Sequence, residues 1–249
     1  MEITSVNNDL VKETAKLQQK KYRNQSGKFL LEGYKAIREA FDCGIVLDRV
    51  FVDKKHLSEY LFAGSAIIET TDAVLKKLST TDSAPEAVAI GVQKEYDKRL
   101  LNSSKKVVLL ENIKDLGNLG TIIRSSLAFG ADAIILYGDS VDIYNPKCVR
   151  ASVGNLWKLP IFHFKTVEEL KDNFSNFERV ATLPRSNNLL KTYKAKLPIL
   201  VMFGSEADGL SGDLINFATD SVKIEMEKTV ESLNLATSVS VILYQLFVD

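Results

Sequence analysis

Three stretches of this 249-residue sequence bring polar side chains and glycine together where a ligand could be held. The first runs from Glu111 to Gly120 (ENIKDLGNLG) and opens a segment containing Arg124. The second, Gly204 to Ser211 (GSEADGLS), carries Glu206 and Asp208. The third, Glu225 to Asn234, ends in Ser232-Leu233-Asn234. Glycine lets backbone approach a ligand closely, and the free N–H groups at a helix start receive anionic groups. None of the three holds GxGxxG or GxxxxGK[ST], which disfavours a nicotinamide dinucleotide site and a P-loop. The two histidines, His56 and His163, lie far from all three stretches, so a Ser-His-Asp triad is disfavoured too.

Each residue also has a plainer reading. Asn118 would cap the following helix, with Gly120 permitting close packing. Glu206 would be a solvated turn carboxylate, Ser232 a cap for the last helix, and Arg124 an outward-facing helical residue. What favours chemistry is the order of the stretches and their joint occurrence after successive strands.

Those strands are short apolar runs: 107–110, 133–136, 180–183, 199–203 and 222–224. Runs this short and nearly continuous predict a parallel sheet covered on both faces. Helices are expected at 119–129, 167–174 and 233–247, the last with an apolar stripe of Leu235, Val239, Leu243 and Leu246. In a parallel sheet ligands sit at the carboxyl ends of strands, where these loops gather.

The first half alternates as well. A helix is expected from Asn8 to about Gln19, a polar loop over 20–27, a helix over 33–41, and strands at 29–31, 49–52, 66–68 and 87–92 with a helix at 73–78. The fold class is α/β. Residues 1–96 form one domain, DKRLLNSSKK (97–106) a linker and residues 107–249 a second domain.

Lysine plus arginine and aspartate plus glutamate both total 32, so no global basic field argues for a nucleic-acid partner. Charge is uneven, however. Residues 11–38 carry six more positive than negative charges, enough to attract phosphates locally or simply to solvate a helix face. Thirteen glycines, five prolines and 45% hydrophobic residues exclude a collagenous or disordered chain. The sequence predicts no membrane span and no signal peptide. Cys43 and Cys148 make no disulfide framework and, with two histidines, no zinc cluster, so a metal-free protein of the reducing cytoplasm is expected.

NLGTIIRSSLAFGA (118–131), MFGSEADGLS (202–211) and IEMEKTVESLNLATSVSV (224–241) resemble the three motifs of the SpoU/TrmH family of RNA ribose 2′-O-methyltransferases, within the SPOUT superfamily. CVRASVGNLWKLPI (148–161) is similar to the family's connecting stretch. KYRNQSGKFLLEGYKAIREA (21–40) and TTDSAPEAVAIGV (80–92) resemble the small RNA-recognition domain that precedes many of its catalytic domains.

The resemblance implies a parallel-sheet catalytic domain with a C-terminal trefoil knot and S-adenosylmethionine bound in it. Phe203, Gly204, Ile224, Met226 and Leu233 would contact that cofactor. Arg124, Asn118, Glu206, Ser232 and Asn234 match the family's functional positions. Arg124 is often assigned the role of base, but a guanidinium with pKa above about 12 fits a phosphate clamp better. Lys20, Lys21, Arg23, Lys28 and Arg150 would contact RNA. A homodimer through the catalytic domain is implied, acting on ribosomal RNA in preference to transfer RNA. A non-catalytic RNA-binding or ribosome-assembly protein and an antibiotic-resistance methyltransferase share these features. One departure stands out: Glu225 occupies the place of the motif's usual proline.

Overall fold

A computed structural model describes residues 1–227 and 229–248 of the chain. The first elements are β1 (Glu2–Ile3), α1 (Asp9–Lys16), α2 (Lys20–Ser26), β2 (Lys28–Glu32), α3 (Tyr34–Asp42), β3 (Leu47–Asp53), β4 (Ile67–Thr70), α4 (Asp72–Leu78) and β5 (Ala87–Val92). There follow β6 (Lys106–Glu111), α5 (Leu116–Ala128), β7 (Ala133–Tyr137), α6 (Pro146–Ala151), β8 (Ile161–Phe164) and α7 (Val167–Phe174). The last are β9 (Glu178–Thr182), β10 (Ile199–Phe203), α8 (Gly212–Phe217), β11 (Asp220–Val222) and α9 (Leu235–Phe247). Two compact units result: residues 1–95 together with 142–157, and the rest of the chain.

The first unit is a five-stranded mixed sheet in the order β1-β4-β3-β5-β2, with β5 antiparallel to both neighbours. Val11 and Leu17 of the N-terminal helix region and Val74, Leu75 and Leu78 of α4 pack with Leu30, Phe51, Ile68, Val88 and Ile90 into its core. The expected loop over 20–27 is instead helix α2, closed by Gly27 in the left-handed region (φ 64°). Its anchor is Arg23, only 1% exposed, whose Nη1 donates to the carbonyls of Leu17 and Gln18 at 2.8 Å each. Taking those carbonyls ends α1 early and starts a second helix, so the expected single helix to Gln19 does not form.

Residues 142–157, expected within the 107–249 domain, pack with the first unit. Asp142 pairs with buried Arg23 at 2.7 Å. Arg150 Nη1 donates to Glu32 Oε1 (3.0 Å) and Thr80 Oγ1 (2.5 Å). Trp157 stacks on Phe29 with ring centroids 5.1 Å apart.

The second unit is a six-stranded, wholly parallel sheet in the order β11-β9-β10-β6-β7-β8. Alternate residues (Val107, Leu109, Ile135, Leu200, Met202) join Phe162, Phe164, Leu170, Phe174 and Phe217 in one core layer. Their neighbours Val108, Leu110, Ile134, Leu136 and Val201 are equally buried and point to the other face, which accounts for the continuous apolar runs. The expected linker is built in: a 3-10 turn at Lys98–Ser103 buries Leu101 in this core, and β6 starts at Lys106.

The chain proceeds from β6 outward to β7 and β8, then returns to build β9, β10 and β11 on the other side of β6. The loops after β6 and β10 therefore meet at a topological switch point, where open parallel sheets bind ligands. Among the described residues, no helix is long and apolar enough to cross a membrane. No group of three or more His, Cys, Asp or Glu among them could hold a metal ion.

Candidate active site

In-register pairing ends the central strands level, with Phe203 beside Leu110 and Met202 beside Ala181. Past that edge the chain turns sharply at Gly204. A Cβ there would lie 1.9 Å from the carbonyl carbon of Gly209 and 2.1 Å from the nitrogen of Leu210, so only glycine fits. Ser205 and Gly209 exchange two backbone hydrogen bonds of 3.1 Å, closing residues 205–209 into a tight loop. Buried Glu111, at the end of β6, holds that loop from below by accepting from Ser211 N at 2.7 Å.

The three stretches meet through side chains. Asp115, not Asn118, caps α5, accepting from Asn118 N at 2.6 Å. The Asn118 side chain is thereby free to bridge. Its Nδ2 donates to Glu206 Oε1 at 2.8 Å, and its Oδ1 accepts from Asn234 Nδ2 at 3.0 Å. Asn234, not Ser232, caps α9, its Oδ1 accepting from Thr237 N at 3.3 Å. A carboxylate that only accepts stands at one end of this chain and a backbone N–H that only donates at the other. Both amide orientations are thus fixed by the network itself. Farther along, Ser125 of α5 and Ser240 of α9 share a hydrogen bond of 2.8 Å.

Beside this relay lies a cavity of about 530 Å³. Phe203, Gly204, Ile224, Met226 and Leu233 all line it, as do Glu206, Ser232 and Asn234. Thr182 at the end of β9, Pro184 just after it and Ser238 of α9 also line it. Sequence reasoning missed them; the signal was that β9 ends beside β10, at the same sheet edge. A second cavity of about 590 Å³ is lined by Asn112, Lys114, Asp115 and Asn118, and has Ser205 and Glu206 in common with the first.

Arg124 stands apart. It is exposed on α5, six residues or about 9 Å along the axis from Asn118. It lines neither cavity and makes no hydrogen bond or ion pair among the described residues. Glu225, in the place of the motif's proline, accepts a hydrogen bond from Lys191 at 3.0 Å, which holds its carboxyl below the usual range and offsets its charge.

The residues expected to meet RNA divide. Lys20 and Lys21 are exposed. Lys28 pairs with Asp48 at 2.8 Å. Arg23 is buried, and Arg150 is engaged by Glu32 and Thr80, so both serve the first unit's interior rather than a free surface. Their charge marked them as surface groups; their carboxylate partners, Asp142 and Glu32, lie more than 100 residues away in sequence and could not be read from spacing.

Residues 105–244 match the SpoU rRNA Methylase family, and residues 8–89 match the MRM3-like substrate binding domain. A tRNA/rRNA methyltransferase of Synechocystis is 32% identical, the match covering 98% of this chain and 92% of that protein. The 23S rRNA (guanosine(2553)-2′-O)-methyltransferase of Bacillus subtilis is 26% identical with 98% of each chain covered. The crystal structure of an AdoMet-bound rRNA methyltransferase from Sinorhizobium meliloti superposes with a TM-score of 0.88 at 27% identity, covering 98% of this chain and 96% of that one.

Proposed function

Because the chain belongs to the SpoU rRNA methylase family, we propose that it transfers a methyl group from S-adenosylmethionine to a ribose 2′-hydroxyl of RNA, with ribosomal RNA favoured over transfer RNA. When bound, S-adenosylmethionine supplies a methyl group on a positive sulfur, already reactive toward an oxygen nucleophile. What remains for the protein is to position the hydroxyl and favour its deprotonated form.

The cavity of about 530 Å³ has the size and lining for that cofactor. Phe203, Ile224, Met226 and Leu233 offer apolar surface to an adenine, and Ser232 and Asn234 a polar edge. Met226 and Leu233 are each 36% exposed, apolar surface that a bound ligand would cover.

The observation that carries the reading is the relay Glu206–Asn118–Asn234, which joins all three motif stretches at the rim of that cavity. In this reading Asn118, Glu206 and Asn234 hold the loops in register, and Ser232 offers a hydroxyl to the target nucleotide. The Arg124 guanidinium grips a phosphate and lowers the pKa of the neighbouring hydroxyl. Among the described residues Arg124 has no partner, which leaves its guanidinium open to one supplied by the substrate. Lys20 and Lys21 attract the RNA backbone.

The reading includes the family's knot and its homodimer, acting in the cytoplasm. Backbone bonds from Lys223 N to Asn188 O (3.0 Å) and from Leu190 N to Lys223 O (2.8 Å) support the knot, because they set the chain after β11 against the 184–192 loop. Exposed Val241 and Tyr244 (61%) on α9 support self-association of the catalytic unit.

Incubation with methyl-labelled S-adenosylmethionine and, separately, ribosomal and transfer RNA tests the whole. The expected product is labelled 2′-O-methylnucleoside from ribosomal RNA. Label on a base, or on transfer RNA alone, would overturn the corresponding part.

A further inference from the structure

The basic stretch over residues 11–38 encloses a cavity as well as carrying charge. Within the first unit, α1, α2 and the neighbouring sheet surround about 290 Å³ of space. Leu10, Leu17 and Ile90 give it apolar lining, the last two buried. Tyr22 lines the same cavity, with Lys16 Nζ 5.6 Å and Lys21 Nζ 5.9 Å from its ring centroid.

The acidic groups lining this space are already matched. Glu13 accepts from Lys16 Nζ at 2.6 Å, and Asp48 from Lys28 Nζ at 2.8 Å. The Gln25 amide, also in the lining, has no hydrogen-bond partner among the described residues. Exposed Lys20 and Lys21 stand next to Tyr22 in the chain. An apolar slot, an aromatic face, one free amide and outlying cations suit a flat heterocycle with polar edges and phosphates attached.

We infer that the cavity beside Tyr22 receives an unpaired base of the substrate RNA, stacked on the Tyr22 ring and met at its edge by Gln25, while Lys20 and Lys21 hold the flanking phosphates. Double-helical RNA hides its base edges in a deep, narrow major groove, whereas looped-out bases stack on aromatic side chains and expose their edges. Only an unpaired nucleotide can enter such a slot. The inference rests on the RNA methyltransferase reading and adds the form of RNA that the first unit selects.

The test is fluorescence anisotropy with the full chain and a labelled, unstructured RNA strand of about 12 nucleotides, free and annealed to its complement. Tyr22→Ala is expected to weaken binding of the single strand about 5- to 150-fold, the span of base–aromatic stacking, and to leave duplex binding unchanged. Tyr22→Phe keeps the ring and the affinity, and a wild-type thermal midpoint for Tyr22→Ala guards against a folding defect. Replacing Lys20 and Lys21 together by glutamine lowers the slope of log affinity against log salt by about 1.4. Single-strand affinity unchanged in Tyr22→Ala, equal losses for strand and duplex, or no binding of the strand by the wild type would each overturn the inference. Methyl transfer by the wild type is measured separately. Its absence beside an intact Tyr22 effect strikes the methyltransferase reading alone, and its presence without a Tyr22 effect strikes the base slot alone.

Discussion

Asn118 and Asn234, 116 residues apart in the chain, are joined by a 3.0 Å hydrogen bond, and each is also bound at its other end by a group of fixed polarity. Asn118 answers to the Glu206 carboxylate and Asn234 to the N–H of Thr237. The starts of α5 and α9 and the loop after β10 are therefore oriented as one piece.

The two asparagines are expected to differ when removed. Asn118→Ala breaks the bridge but leaves the α5 cap, which Asp115 provides. Single-turnover methyl transfer should fall about 100-fold, the cost of a misplacement near 1 Å, with the thermal midpoint unchanged. Asn234→Ala loses the bridge and the α9 cap together. It should lose transfer to a similar degree and also about 1 kcal/mol of stability, roughly 2–4 °C in midpoint. Equal midpoints for the two variants would contradict this division of labour.

Gly204 makes a sharper case. Any side chain at 204 would overlap the backbone of Gly209 and Leu210, and backbone cannot yield as a flexible side chain can. Gly204→Ala should open the 205–209 loop and abolish cofactor binding by titration calorimetry. Gly212→Ala, eight residues on, would meet nothing within 4 Å and is the matched control, expected to bind normally. Cofactor affinity retained in Gly204→Ala would show that the loop is not part of the binding site.

The legible parts of the fold were those in which burial is uniform. Residues 199–203 read as a strand because both faces of the sheet are covered, so every residue in it is apolar. Val167–Phe174, expected as a helix, forms one, and the structure adds a capping box of Thr166 and Glu169 at its start. Helix α2 was illegible for the opposite reason: its buried residue is an arginine, whose burial depends on Asp142, 119 residues away. Strand β8 escaped because it is four residues long and carries an exposed His163. At the site, spacing pointed to the three stretches but assigned the helix caps to Asn118 and Ser232. Asp115 and Asn234 hold those places, which frees Asn118 to bridge.

The Arg23–Asp142 pair should be costly to break from one side. Arg23 is fully buried, and Asp142 accepts from both its Nε (2.8 Å) and Nη2 (2.7 Å). Asp142→Ala leaves a buried guanidinium with two carbonyl acceptors and no counter-charge, a loss of about 3–5 kcal/mol. Replacing both residues by apolar ones of similar volume should recover most of it. Trp157, the sole tryptophan, is buried against Phe29 in the same unit, so its fluorescence during urea unfolding follows this unit in particular. A double variant no more stable than Asp142→Ala would mean that the pair's worth lies in geometry rather than in neutralised charge.

Stability of the first unit should also depend on pH through His56. Its Nδ1 lies 2.7 and 2.8 Å from the two oxygens of Asp53, and Glu59 and Glu86 add negative potential. The hydrogen bond to Asp53 is the main cause that raises the imidazole's pKa above its ordinary 6.5. A group that holds its proton more tightly when folded stabilises the fold fully while both states are protonated, below about pH 6.5. Between 6.5 and the raised native value the unfolded chain has already lost its proton and the folded chain must follow, so the contribution shrinks; above the native value it is gone. Urea midpoints read by Trp157 should therefore decline as pH rises through this interval, and His56→Gln should remove that part of the slope. A variant with the wild-type pH profile would assign the dependence to other groups, whereas a flattened profile with an unchanged midpoint at high pH is the signature expected of this pair.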